Sequence, residues 1–351
     1  MINQIISIII AILIFSIIIL FHELGHFLLA KYNGIRVNEF CLGFGPTLLH
    51  FTKGETTYSI KLLPFGGACM MEGEDEESDD DAAFGKKSVW ARMSVVFAGP
   101  FFNFIMAYVL SFVLLSCQGV DRPVLSKATD GYAAAEAGMQ AGDEIVKMNH
   151  YSIHFSKEIS LYTMVHTGET IDVTYLRDGK KNIVSLKPKK DKETGGYRYG
   201  FEYSTADYEK GNVLTNLKNS FYEVRYWIYS TVESLKMLFT GKVSVNELSG
   251  PVGIVKNIGD TYKDSMEASG AFLAFIFMLR WSILLTANLG VMNLLPIPAL
   301  DGGRLVFLIV EAVRGKKANQ KIEATATIVG FLLLFALMFF VMYNDIRKLI
   351  V

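Results

Sequence analysis

Five consecutive residues, His22-Glu23-Leu24-Gly25-His26, combine the side chains that hydrolysis at a metal requires. Two histidines four apart on a helix share one face, so both imidazoles can bind a single zinc ion. A glutamate beside the first is placed to act as general base for a water molecule. The motif lies inside an apolar run, IISIIIAILIFSIIILFHELGHFLLA. Three polar, titratable side chains in a membrane span are costly and need a reason. The bland alternative is that they only line a contact between helices.

A catalytic zinc usually takes three protein ligands and keeps a position for water. The best third candidate is Asp301, the one carboxylate between Ala271 and Val310. Its other reading is a turn residue, since Asp-Gly-Gly is ordinary turn chemistry.

Apolar blocks must position these groups. The chain has 351 residues, of which 51% are hydrophobic, and its mean hydropathy is +0.31. Four segments, about 4–30, 93–117, 272–296 and 325–343, reach the ~20 residues needed to cross a bilayer. The first is read as a retained span rather than a signal peptide, because it lacks a basic flank and a small-residue cleavage site. Lys31, Arg36, Lys53, Lys61, Lys86, Lys87 and Arg92 lie between the first two crossings, and Arg314, Lys316, Lys317 and Lys321 between the last two. The positive-inside rule puts both loops in the cytosol and both termini outside, against the pull of Arg347 and Lys348. The middle segment, about 118–270, then also lies outside. On this topology His22 sits ~27 Å along the first helix at ~1.5 Å per residue. Asp301 reaches that depth if the third helix breaks near Pro296 and Pro298, where proline removes a donor and clashes with the preceding turn. A net charge of −1 offers no basic surface for nucleic acid. Cys41, Cys69 and Cys117 are scattered and form no CxxC pair, which argues against a disulfide framework or a cysteine metal site.

The chain resembles the site-2 protease family of intramembrane zinc metalloproteases, closest to its bacterial PDZ-containing branch with the regulator of sigma-E protease. Four blocks carry the resemblance: HELGH; FGKKSVWARMSVVFAGPFFNFIMA (84–107), with Gly99, Pro100 and Asn103; LSGPVGI (248–254); and NLLPIPALDGGR (293–304). The resemblance implies a polytopic α-helical membrane protein of about four transmembrane helices. It also implies a membrane-associated β-hairpin and an inserted extracytoplasmic PDZ domain (α+β). His22, His26 and Asp301 would bind Zn2+, and Glu23 would activate water. Asn293 would steady the substrate backbone or the developing oxyanion, and Asn288 is a second candidate for substrate binding. For both asparagines, and for Asn103, an interhelical hydrogen bond is the structural alternative. YSIKLLPFGGACMMEGE (58–74) resembles the family's hairpin, whose exposed edge, around Leu62, Leu63, Gly66 and Gly67, could pair with an extended substrate.

Residues 130–153 resemble the core of a PDZ domain, and 171–188 read as a hairpin around Asp178-Gly179. The organisation expected is 1–117 for the first membrane region, 118–205 for the PDZ domain, 206–270 for an amphipathic helix and the LSGPVGI linker, and 271–351 for the second membrane region. The acidic run Glu72–Asp81 reads as a solvated linker. The function implied is regulated intramembrane proteolysis of single-pass membrane proteins, such as anti-sigma factors and remnant signal peptides, usually after a first external cleavage. The expected setting is the bacterial cell membrane, with the active site toward the cytosol. Lipid, the substrate and a peptide ligand of the PDZ domain are the expected partners, and no nucleic acid. Two competing readings are a PDZ-bearing adaptor with a structural metal and a transporter. An intact Glu23 argues against the first, and four spans with no inverted repeat against the second.

Overall fold

The computed structural model describes residues 2–74, 76, 78–191, 195–203, 208–247, 249–317 and 320–350. Asp75 and Glu77 of the acidic run, Leu248 of LSGPVGI and the expected boundary at 205/206 lie outside the described residues. The chain divides into two compact units, Ser111–Met237 and the remainder.

The remainder is the membrane unit. Helix α1 spans Ile2–Tyr32 and α2 spans Val89–Gln118. Helix α6 spans Pro251–Asn293, α7 spans Asp301–Arg314 and α8 spans Gln320–Ile350. All but α7 are long and apolar enough to cross a membrane. In lipid each backbone donor must find its acceptor within the segment, which makes helix the only stable choice for such runs. The third helix ends at Asn293, just before the two prolines, and Asp301 opens the next. Pro298 and Ala299 form the corner of a turn in which Leu300 N–H donates to Ile297 O at 3.1 Å. Ala299 has φ +80°, the value of a type II turn, where glycine is the usual residue.

Helix α6 departs from the expected linker-then-span arrangement. It is already helical at Pro251, and it breaks at Ser269 and at Gly270, which has φ +75°. The bend is sharp enough for Trp281 Nε1 to donate to Thr261 Oγ1 at 3.2 Å. A straight helix would hold these residues ~30 Å apart. The stretch expected to be a linker is therefore a helical arm folded back on the third crossing. Asp345, near the end of α8, caps this arm by accepting from Gly250 N–H at 3.1 Å and Gly253 N–H at 2.8 Å. Negative charge is favourable at a helix N-terminus. The two glycines of LSGPVGI are small because Asp345 sits against them: a Cβ on Gly250 would lie 2.8 Å from its Oδ2.

Between α1 and α2 run two long strands, β1 (Val37–Lys53) and β2 (Thr56–Met71). Their tips pair as a hairpin, Lys53 opposite Thr56, while Gly67–Met71 pairs with Val37–Leu42 at the base. Glu39–Leu42 also lies beside Thr57–Ile60, so both strands bend and the sheet is wider than a simple hairpin. Ser16 Oγ of α1 donates to Pro64 O at 2.9 Å and ties the bend to the first helix. Part of the acidic run is held rather than free: Arg36 pairs with Asp80 and Arg304 with Glu74. Both basic partners come from distant chain segments, which local composition cannot reveal.

The Ser111–Met237 unit contains β3 (Val120–Asp121), β4 (Leu125–Ala128), α3 (Ala133–Glu136), β5 (Glu144–Met148), β6 (Tyr151–Ser152), α4 (Ser156–Val165), β7 (Ile171–Arg177), β8 (Lys180–Leu186), β9 (Lys189–Lys190), β10 (Tyr197–Arg198), β11 (Phe201–Tyr203), β12 (Tyr208–Glu209) and α5 (Val213–Phe239). The main sheet has the order β6-β5-β7-β8, with β4 paired to β11 and β3 to β12. Asp178 and Gly179 both have positive φ, as a two-residue hairpin turn requires. Ile145, Met148, Ile159, Ile171, Val173 and Leu186 fill one core. The unit is thus an α+β body with a four-stranded antiparallel main sheet, the class expected of the middle segment. Helix α5 is held on it by Arg225–Glu158 (2.6 Å) and Lys157–Glu223.

Candidate metal centre

Helical periodicity puts His22 and His26 on one face of α1, and their Nε2 atoms lie 3.2 Å apart. Asp301 reaches them from the first turn of α7: its Oδ2 is 3.2 Å from His22 Nε2 and 3.6 Å from His26 Nε2. One ligand atom from each residue lies within 4.8 Å of the others. The orientation of His26 is determined by its other nitrogen. Nδ1 lies 2.9 Å from Val95 O, and a carbonyl only accepts, so Nδ1 carries the proton and Nε2 presents a lone pair. Asp301 Oδ2 is buried and has no hydrogen-bond partner. Two nitrogen donors and an orphaned carboxylate oxygen converging on one point fit a cation with tetrahedral preference, as zinc has. Among the described residues this is the one cluster of its kind.

Glycines make room for the cluster. A Cβ on Gly99 would fall 2.2 Å from His26 Nε2 and 2.8 Å from His22 Cε1, and one on Gly25 would fall 2.4 Å from Ala98 O. The two helices therefore approach through bare backbone, as small residues permit in membranes. The loop before Asp301 is packed the same way: Gly302 abuts Leu295 O, and both Gly303 and Gly330 of α8 abut the 297–298 backbone.

The cluster opens on a cavity of about 640 Å³ lined by His22, Glu23, His26, Gly67–Met71, Glu74, Asp301 and Arg304. Glu23 lies against Gly67, whose Cβ, if present, would be 3.2 Å from Glu23 Cγ. Asn293, the last residue of α6, brings its Nδ2 to 3.5 Å from His22 Nε2. Asn288 is half-buried on α6 and does not line the cavity. Leu62 and Leu63 are 53% and 52% exposed and also lie outside the lining. Gly66 packs under the Phe44 ring at φ +93°, and of the four expected hairpin residues only Gly67 faces the cavity. The reason is the bend at Pro64: the chain turns there, and it is the following segment, Gly67–Met71, that runs past the His22–His26–Asp301 cluster. Its inner side pairs with Val37–Leu42, and no strand covers its outer side among the described residues. Arg304 was legible in retrospect, since it follows Asp301 by three positions on the same helical face. Glu74 was not, because only the fold brings it to Arg304.

Apolar crossings around a polar cavity with an HExxH–Asp cluster define an intramembrane zinc metalloprotease of the site-2 type, with Zn2+ as cofactor. The model described as Peptidase family M50 matches residues 10–337, and the chain belongs to that family. Relatives agree. A protein of Clostridium acetobutylicum, provisionally named a zinc metalloprotease, is 39% identical over 97% of each chain. The zinc metalloprotease RasP of Geobacillus kaustophilus is 32% identical over 99% of each. The regulator of sigma-W protease RasP of Bacillus subtilis is 33% identical over 96% of this chain and 97% of that one. A PDZ domain structure from Listeria monocytogenes aligns with 24% of this chain and 87% of its own, at 20% identity and a TM-score of 0.21.

Proposed function

We propose that His22, His26 and Asp301 hold the zinc ion, that Glu23 is the general base, and that the cavity is where a membrane-embedded peptide is cut. The observation that carries this is the buried Oδ2 of Asp301, which accepts no hydrogen bond yet lies within 3.6 Å of two imidazole nitrogens. Bound zinc supplies Lewis acidity toward water and a peptide carbonyl. Glu23, with no hydrogen bond to another described side chain, is free to take the proton of the attacking water and return it to the leaving amine nitrogen. The amide of Asn293 donates to the carbonyl oxygen as negative charge develops there. Helical substrates hide their carbonyls in their own hydrogen bonds, so a cut needs local unwinding. The uncovered side of Gly67–Met71 offers backbone partners to the unwound stretch.

The substrates that this reading favours are single-pass membrane proteins: anti-sigma factors, in line with the name of the Bacillus subtilis relative, and remnant signal peptides, after a first external cut. The basic loops support a cytosolic active site and an extracytoplasmic PDZ domain in a bacterial cell membrane. The PDZ domain would bind exposed chain ends or filter bulky substrates.

Purified full-length protein is incubated with a model transmembrane peptide, with and without a zinc chelator, beside the Glu23→Gln variant. Chelation is expected to stop cutting. Glu23→Gln is expected to keep one zinc per chain and lose about 10²–10⁴-fold in rate. Cutting by Glu23→Gln at the normal rate, or insensitivity to the chelator, overturns the assignment.

A further inference from the structure

The first histidine, unlike the second, has no carbonyl to orient it. His22 Nδ1 meets a side-chain amide instead, lying 3.1 Å from Asn103 Nδ2 on α2. Asn103 is fully buried, as is Thr286 on α6. Thr286 Oγ1 donates to the Asn103 backbone carbonyl at 3.2 Å and lies 3.5 Å from Asn103 Oδ1. Gly290, one turn later on α6, packs on Phe104 of α2 and keeps the two helices close. His22, Asn103 and Thr286 thus join the first three crossings in one chain of polar groups.

The chemistry of this chain is two-sided. With its NH₂ toward His22, Asn103 donates to a lone pair on Nδ1, which leaves the proton on Nε2, the atom that faces His26 and Asp301. A ligand nitrogen must be unprotonated. With the amide turned over, Oδ1 accepts from Nδ1–H, Nε2 presents its lone pair, and the NH₂ is directed to Thr286 Oγ1, whose own proton is already committed to the Asn103 carbonyl. Every group then has a partner. We infer that Asn103 is a positioning residue for the zinc site: its amide, steadied by Thr286, sets the His22 tautomer and turns over as zinc binds. The inference rests on His22 being a ligand.

The test is zinc affinity of the purified full-length chain, measured by competition with a chromophoric chelator. Asn103→Leu keeps the size and removes both polar ends, and is expected to weaken zinc binding by about 10–100-fold. Asn103→Asp, whose carboxylate accepts from Nδ1–H, is expected to restore affinity to within about threefold of the unaltered chain. In the zinc-loaded unaltered chain the His22 side-chain ¹⁵N spectrum should show a proton on Nδ1. Asn103→Leu binding within twofold of the unaltered chain, or Asn103→Asp binding no better than Asn103→Leu, overturns the inference. If Asn103→Leu does not fold, Thr286→Val against Thr286→Ser decides: loss of threefold or more in the first with recovery in the second supports it, and an unchanged Thr286→Val overturns it. An unaltered chain that fails to bind one zinc brings down the ligand assignment as well. Normal zinc binding with a silent Asn103→Leu brings down only the role of Asn103.

Discussion

Replacing Gly99 by alanine tests how closely α2 must approach the His22–His26–Asp301 cluster that α1 and α7 carry. The added Cβ would stand 2.2 Å from His26 Nε2, whereas ordinary contact begins at 3.4 Å. Helix or imidazole must therefore yield by roughly 1.2 Å, while coordination distances tolerate only about ±0.2 Å. The imidazole cannot simply move away, because its Nδ1 is bonded to Val95 O on the same helix as Gly99. Alanine is nevertheless the better helix former, by about 0.8–1 kcal/mol per residue. Gly99→Ala is thus expected to leave α2 as stable as before and yet lose at least about 100-fold in zinc affinity, near 2.7 kcal/mol. Peptide cleavage should fall by a similar factor, since ~1 Å of misplacement costs about that much. Zinc retained after dialysis against a chelator is the direct assay, with thermal unfolding in detergent as the control. A Gly99→Ala protein that keeps its zinc and cuts peptide at the normal rate would show that the packing argument is wrong.

Two further predictions concern the supports of the site, and a third concerns the Ser111–Met237 unit. Arg92 of α2 pairs with Glu311 of α7, with side chains only 8% and 13% exposed; Arg92→Met should cost about 3–5 kcal/mol, and the double Arg92→Met/Glu311→Met much less, because a lone buried charge is worse than none. Thermal unfolding of both proteins checks the order. Ala299→Gly should raise stability by about 0.5–1 kcal/mol, the cost of a left-handed alanine less the entropy of glycine; a lower Tm would refute the turn assignment. Burial holds the His154 imidazole below its ordinary pKa of 6.5. The unfolded chain then takes up a proton that the fold resists, so stability of the Ser111–Met237 unit is lost as pH falls below about 6.5. Protection factors of amides in β5 and β7, corrected for the slower intrinsic exchange at low pH, should fall from pH 7.5 to 5.5 in the full-length chain and less so in His154→Phe; an equal fall in both would contradict this.

Much of the site was legible because its rules are local. The spacing of His22 and His26 defines a helical face, Pro296 and Pro298 end a helix, and Asp301 is the one carboxylate in its apolar stretch. The four crossings follow from length and hydropathy in the same way. What only the tertiary structure decided is which neighbour each apolar or polar group meets. Lipid and protein interior are equally apolar, so hydropathy does not tell α6 that its first arm folds back at Gly270, nor that α8 lends Asp345 to cap it. The meeting of His22 with Asn103 and the pairing of Glu74 with Arg304 depend on contacts more than 80 residues apart in sequence. Likewise Gly67–Met71, rather than Leu62 and Leu63, lines the cavity because a bend at Pro64 aims the chain there. Local pattern specifies what an element is; the packing of helices against one another specifies what it touches.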